Sequence, residues 1–297
     1  MRGYAPHDGY IAPARRDPAL FKIVIAFFAV EFLFTLGITA LDYLLMQVAP
    51  GAALAMWDGS TPVALSLQLL SFGIMAGAVI LVARAFYQRG AASLFGPVRI
   101  AARDLLRVFV AAGLVFLAVE LLPPWYGFEP STEFRPLLGW IAALPLGMAA
   151  LLVQTGSEEV FYRGLLQQQV AARFSHPIAW LILPNAIFAL AHYENGIDPT
   201  DAAQYVIWAF AFGVAASDLT ARTGSLGAAI GFHLANNAYS FLFFGEQGAP
   251  DSGLAYVLLP AWVPEDGLVG PVFSITLLIE LAIVGLCWLA ARLALRR

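Results

Sequence analysis

The chain has 297 residues, 60% of them hydrophobic and 12% charged, against about 25% charged in an average soluble domain. Its charges collect between apolar runs of the roughly 20 residues that cross a bilayer, so the class is an all-α, polytopic integral membrane protein. A net charge of −4 excludes nucleic acid as an obvious partner, and a single cysteine, Cys287, excludes an internal disulfide.

Residues 1–20 are polar and rich in Pro, Gly and Tyr, without the apolar core and cleavage site of a signal peptide. They read as a disordered cytoplasmic tail in which His7 does nothing specific. Residues 21–297 read as a single transmembrane helical domain with a motif-bearing core at 146–245. Its eight expected spans are Phe21–Val48, Pro62–Tyr87, Leu105–Leu122, Leu146–Ala172, Pro177–Tyr193, Ala202–Thr220, Leu226–Phe244 and Pro271–Leu295. Leu137–Leu144 is also apolar, and Pro145 sets it off from the fourth span as a re-entrant or interfacial elbow.

The basic residues fall on one side. They lie in the tail, at 84–107, at Arg173 and Arg222, and at the C-terminus, with Arg135 alone opposite. The opposite loops hold Asp58, Glu129, Glu194, Asp201, Asp251 and Glu265 among others. This asymmetry predicts both termini in the cytoplasm and an even number of spans. Arg99, Arg103 and Arg107 recur every four residues. They read as a surface helix attracted to anionic lipid, or as an ordinary positive-inside anchor. Gly245–Gly270, with Trp262, is the longest outer loop, a cap or an irregular segment.

Polar residues that lipid would reject interrupt five spans. They are Glu31 and Asp42 in the first, Glu158 and Glu159 in the fourth, Asn185 and His192 in the fifth, His233, Asn236 and Asn237 in the seventh, and Glu280 in the eighth. Intramembrane ionisable groups are functional candidates unless they only join helices, as a lone Glu31, Asp42 or Glu280 could. The larger cluster repeats a spacing of four: Glu159 and Arg163, Phe188 and His192, His233 and Asn237. Each pair projects from one helical face, and the acid precedes the base, the favourable order for a helical ion pair.

Depth follows from counting. Glu158 lies 14 residues before Ala172 and His192 lies 15 after Pro177, about 21 and 22 Å up an antiparallel hairpin. His233 comes out only about 10 Å above Leu226, so its helix must enter deeper or its turn must sit higher.

Two carboxylates, two imidazoles, an amide and a guanidinium in one bundle suit hydrolysis of an acyl compound by activated water. A carboxylate kept from bulk water suits a general base, an imidazole can help hold the water, and a second imidazole with an amide can serve an oxyanion. No nucleophile is convincing: Ser157 points to another face and Cys287 is remote in sequence. Zinc held by His192, His233 and Glu158 would use the same groups, although there is no His-Glu-x-x-His helix. Metal-dependent and metal-free activation both stay open.

Glu158-Glu159-x-x-x-Arg163, then Phe188-x-x-x-His192, then His233-x-x-x-Asn237, on successive motif-bearing spans, resembles the CPBP family. These are type II CAAX prenyl endopeptidases with bacteriocin-processing and immunity-associated relatives. The resemblance covers about Glu158 to Asn237. It implies an intramembrane endopeptidase in which Glu158 activates water, Glu159 and Arg163 support it, His192 assists, and His233 with Asn237 serves the oxyanion or a metal. Phe188 and Asn185 are the expected substrate-binding residues. The Ala/Arg-rich, Lys-poor composition suggests a prokaryotic inner (plasma) membrane, where CAAX prenylation is not expected. The substrate is then a membrane-associated or lipidated peptide or protein, reached from the cytoplasmic or lateral side. A non-catalytic immunity or scaffold protein would not need every polar member of the motif. A proton-coupled transporter should show two related halves, and no internal repeat is visible.

Overall fold

A computed structural model describes residues 2–123, 127–261 and 270–297. The expected outer-loop residues Trp262 and Glu265 lie outside the described residues. After a 3-10 turn at Arg2–Tyr4 come α1 (Ala5–Ile11), α2 (Leu20–Val48), α3 (Pro50–Asp58), α4 (Pro62–Ser71), α5 (Gly73–Tyr87), α6 (Ala92–Phe95) and α7 (Val98–Leu121). Next come α8 (Leu137–Glu159), a π-helical segment (Val160–Gln167), α9 (Gln168–Arg173) and α10 (Pro177–Leu190). The chain closes with α11 (Pro199–Thr223), α12 (Gly227–Leu242) and α13 (Ile275–Leu295).

Every expected span coincides with helix, and the protein is an all-α polytopic membrane protein. Among the described residues, five helical stretches are long and apolar enough to cross a membrane: Leu20–Val48, Pro62–Tyr87, Leu137–Arg173, Pro199–Thr223 and Ile275–Leu295. α10 has 14 residues and rises about 21 Å, short of the roughly 30 Å hydrocarbon core. That shortness matters for the site, because α10 stops part-way and leaves room beyond its end.

Local chemistry sets the helix boundaries. Pro199 opens α11 behind Asp198, whose carboxylate accepts from the Thr200 and Asp201 amides at 2.7 and 3.0 Å. Thr61 and Ser274 cap α4 and α13 in the same way. A small sheet holds β1 (Glu133–Phe134) antiparallel to β3 (Val257–Leu259), with β2 (Phe244–Glu246) parallel on its other edge. Arg135, the charge on the otherwise acidic side, donates to the carbonyls of Ala255, Ser60 and Ser252 at 2.9, 3.0 and 3.2 Å. It staples this sheet to the start of α4, which accounts for its exceptional position.

Three expectations need correction. The segment before residue 17 is folded, with His7, Tyr10, Ile11 and Ala14 buried. His7 packs on Trp180 with ring centroids 4.4 Å apart, and Tyr4 donates to Asp218 at 2.6 Å. Apolar and aromatic side chains in a polar stretch supply the burial that disorder would forgo. Next, the Pro145 elbow is absent: α8 runs unbroken from Leu137 with the proline inside it. Finally, Arg99, Arg103 and Arg107 are not on a separate surface helix. They belong to the first turns of α7.

α12 packs closely on α7 because two glycines allow it. A Cβ at Gly227 would lie 1.8 Å from the Ala101 carbonyl oxygen, and one at Gly231 would lie 2.3 Å from that of Leu105. Small residues four apart let helix backbones approach in this way. The turn before α12, from which the depth of His233 is counted, is buried. Ser225 and Leu226 are fully buried. The Leu226 amide donates to Phe95 of α6 at 3.1 Å, and Gly224 lies under the Pro6 carbonyl. The turn is therefore covered by α6 and α1 and does not lie at a surface.

Both chain ends meet at the last turn of α11. Asp218 there accepts from Tyr4, and Arg297 donates to the Arg222 carbonyl at 3.1 Å. The two ends thus share one face of the molecule.

Candidate active site

Four elements carry the cluster: the end of α8, the π-helical segment, the end of α10 and the middle of α12. π-Helical turns are rare and often mark functional sites. Here the π segment begins directly after Glu158 and Glu159 and carries Arg163.

Arg163 is fully buried, and each of its nitrogens but Nε has a partner. Its Nη1 donates to Glu159 Oε1 at 3.0 Å. Its Nη2 donates to Asn185 Oδ1 at 3.0 Å and to the Gly213 carbonyl at 3.2 Å. The guanidinium lies 4.6 Å from the Phe188 ring centroid, a cation–π distance. Gly213 has to be glycine, since a Cβ there would stand 2.7 Å from Asn185 Oδ1.

Glu159 Oε1 also meets His233 Nδ1 at 2.9 Å. A carboxylate only accepts, so His233 carries its proton on Nδ1 and turns Nε2 outward. That Nε2 lies 3.9 Å from Glu158 Oε2. Glu158 Oε2 is buried and makes no hydrogen bond, whereas Oε1 accepts from Gln154 Nε2 at 2.5 Å. Gln154 in turn accepts from Asn237 Nδ2 at 2.8 Å. Asn237 therefore reaches Glu158 through Gln154. One hydrogen of its amide nitrogen is used there, and Asn236 donates to its oxygen at 3.2 Å.

His192 sits one residue past the C-cap of α10, not on its face. The spacing of four from Phe188 is realised differently: His192 Nδ1 donates to the Phe188 carbonyl at 2.7 Å. A carbonyl only accepts, so Nδ1 bears the hydrogen and Nε2 is presented elsewhere. The ring leans on Phe188 with centroids 4.4 Å apart.

These groups border a cavity of about 1250 Å³ lined by Glu158, Gln154, Phe188, His192, His233 and Asn237, among others. Glu159, Arg163 and Asn185 are not on its wall. Asn185 is thus placed otherwise than expected for a substrate contact. It is fully buried, donates to Ser217 Oγ and to the Leu181 carbonyl at 2.8 Å each, and holds Arg163. The wall includes Glu194, Asp201 and Asp251 and the starts of α4, α11 and α13, so the cavity extends toward the face opposite the arginine-rich ends. Ser157 does point away, donating to the Val153 carbonyl at 2.6 Å. Gln154 was missed in the sequence, although it stands four before Glu158 and carries the spacing seen in the other pairs.

The zinc set of His192, His233 and Glu158 does not fit this arrangement. Among the described residues, no three His, Cys, Asp or Glu side chains converge as metal ligands. A zinc site needs three such donors within about 2.0–2.2 Å of one point.

Fold and site together define a membrane-embedded carboxylate–imidazole centre. Residues 139–239 match the model of the type II CAAX prenyl endopeptidase Rce1-like family. The match contains every residue of the cluster, from Gln154 to Asn237. An uncharacterized protein of Bacillus subtilis (strain 168), YyaK, is 27% identical over 151 residues, 49% of this chain and 49% of that protein. The chain thus spans about half the length of the curated relative it matches. No solved structure matches it.

Proposed function

We propose that the chain is an intramembrane endopeptidase that cleaves a membrane-associated or lipidated peptide with water activated by Glu158. One observation carries this reading. Glu158 lines the cavity, and its Oε2 is buried, makes no hydrogen bond and stands 3.9 Å from His233 Nε2. That separation is too long for a direct hydrogen bond and is one that a water off the line between the two atoms would bridge once the side chains part slightly.

In the proposed sequence Glu158 takes a proton from that water and the oxygen attacks the scissile carbonyl carbon. His192 Nε2 helps to hold the water. The oxyanion is met by the second amide hydrogen of Asn237 and by His233 when its Nε2 is protonated. Glu158 then returns its proton to the amide nitrogen as the C–N bond breaks, leaving a carboxylic acid and an amine. Glu159, Arg163 and Asn185 do not touch substrate. They fix His233 and the π segment.

The chain ends lie on the arginine-rich face, which the positive-inside rule assigns to the cytoplasm of a prokaryotic plasma membrane. The cavity then extends toward the outer face.

The test is cleavage of a fluorogenic lipidated or apolar peptide by wild type, Glu158→Ala and His192→Ala, with and without a chelator. Loss of turnover in both variants supports the assignment, whereas equal turnover in Glu158→Ala rejects it. Turnover that survives the chelator removes a metal from the reaction.

A further inference from the structure

The cavity holds more charge than the chemistry above uses. Besides Glu158, its wall carries Glu31, Glu194, Asp201, Asp251 and Glu280, and it carries no lysine or arginine. Among the described residues, none of these five forms a salt bridge within 4.0 Å. Protein interiors and surfaces ordinarily intersperse both signs, so a one-signed wall focuses a negative potential into the cavity.

Two of these carboxylates come from helices that cross the apolar layer. Glu31 is the twelfth residue of α2, about 17 Å along it, and Glu280 is the sixth of α13, about 8 Å along. Both helices are candidate spans, and lipid would reject a carboxylate on either. Both line the cavity, Glu31 half-buried and Glu280 exposed at its rim. A second observation points to a ligand in the same space: the partnerless Oε2 of Glu158, a residue only 9% exposed, on the same wall. Tyr205, Trp208 and Phe116 add aromatic faces, which attract ammonium and guanidinium groups as well as apolar side chains.

We propose that the cavity is built for an apolar peptide segment bearing lysine or arginine close to the scissile bond, with Glu31, Asp201 and Glu280 as its specificity-determining residues. The proposal rests on the protease reading of the site. It assigns the first and last candidate spans, which lie outside the matched domain, to substrate selection.

The test is binding, which needs no turnover. Full-length Glu158→Gln protein is placed in nanodiscs of zwitterionic lipid. It is titrated with a fluorescent apolar peptide containing two arginines, and with the same peptide containing citrulline, an uncharged isostere. Empty nanodiscs give the lipid background. The arginine peptide should bind about tenfold tighter, and the gap should shrink as salt rises from low to high. Glu31→Gln and Glu280→Gln should each narrow it. Asp201→Asn, which keeps an oxygen for the Ile197 amide, should do so without risk to the fold. Equal affinity for the two peptides overturns the proposal, and so does a preference untouched by all three substitutions. If wild type hydrolyses nothing while the preference holds, the protease reading fails and the cationic specificity stands.

Discussion

Arg163 and Glu280 are both charged groups on helices of an apolar chain, and the protein treats them in opposite ways. Arg163 lies in a dry, closed region. Each of its nitrogens but Nε has a partner, its counter-ion Glu159 is buried with it, and a phenyl ring covers one face. Glu280 lies on an open wall among other carboxylates with no cation to answer it. Burying a charge in low dielectric is stable only with paired partners, whereas a charge facing a wet space keeps its solvation. The difference separates a framework that holds geometry from a surface that meets a ligand.

Arg163→Met should break the framework most severely. It leaves Glu159 buried without its guanidinium, a loss of about 3–5 kcal/mol. Thermal unfolding in detergent should shift far downward, and His233 should lose its fixed orientation. If the melting temperature stays within a few degrees, the framework reading is wrong.

The N-terminal segment supports the same dry half, since Tyr10 donates to the Leu94 carbonyl at 2.6 Å beside the π segment. Burial pushes the His7 imidazole down from 6.5 to about 4, against Asp8 and with Arg15. Between those values the undocked segment binds a proton that the docked one refuses. Docking is therefore at full strength above about pH 6.5 and weakens as pH falls toward 4, by roughly 3 kcal/mol in all. The hydrogen-exchange protection factors of residues 5–16, corrected for the intrinsic pH dependence of exchange, should fall between pH 7 and pH 5, and His7→Phe should abolish that dependence.

The smallest effect probes the border between the two regions. Gln154 joins Asn237 to Glu158, so Gln154→Met should lower kcat about tenfold, or about 1.4 kcal/mol, with little change in KM. An unchanged kcat would remove the bridge from the mechanism.

How much of this was legible beforehand depended on whether a feature had a period. Spacing four pointed to the Glu159–Arg163 ion pair, because helical geometry turns spacing directly into shared faces, whereas the Glu159–His233 contact between two helices had no such signal. Counting rise per residue put Glu158 and His192 at one level, and both line the cavity, although His192 sits past the end of α10 rather than on it. The folded N-terminal segment was hidden because its aromatic contacts reach Trp180 and Asp218, far along the chain. The burial of the turn before α12 depended on α6 covering it, a tertiary event with no local signature. The π segment left no mark in the residue pattern, since its extra residue per turn reveals itself only in backbone hydrogen bonds. The cavity wall was half visible: Glu31 and Glu280 stood out as costly, but nothing in their neighbourhoods said that they face the same space.

The central claim is that two adjacent glutamates divide the work, Glu158 meeting the water and Glu159 holding the imidazole. The direct measurement is kcat and melting temperature for Glu158→Gln and Glu159→Gln, side by side in the same detergent. Glu158→Gln should keep the wild-type melting temperature and lose about 10²–10⁴ in kcat. Glu159→Gln should lower the melting temperature markedly, by unpairing Arg163. A Glu158→Gln protein that still cleaves at the wild-type rate would contradict the account.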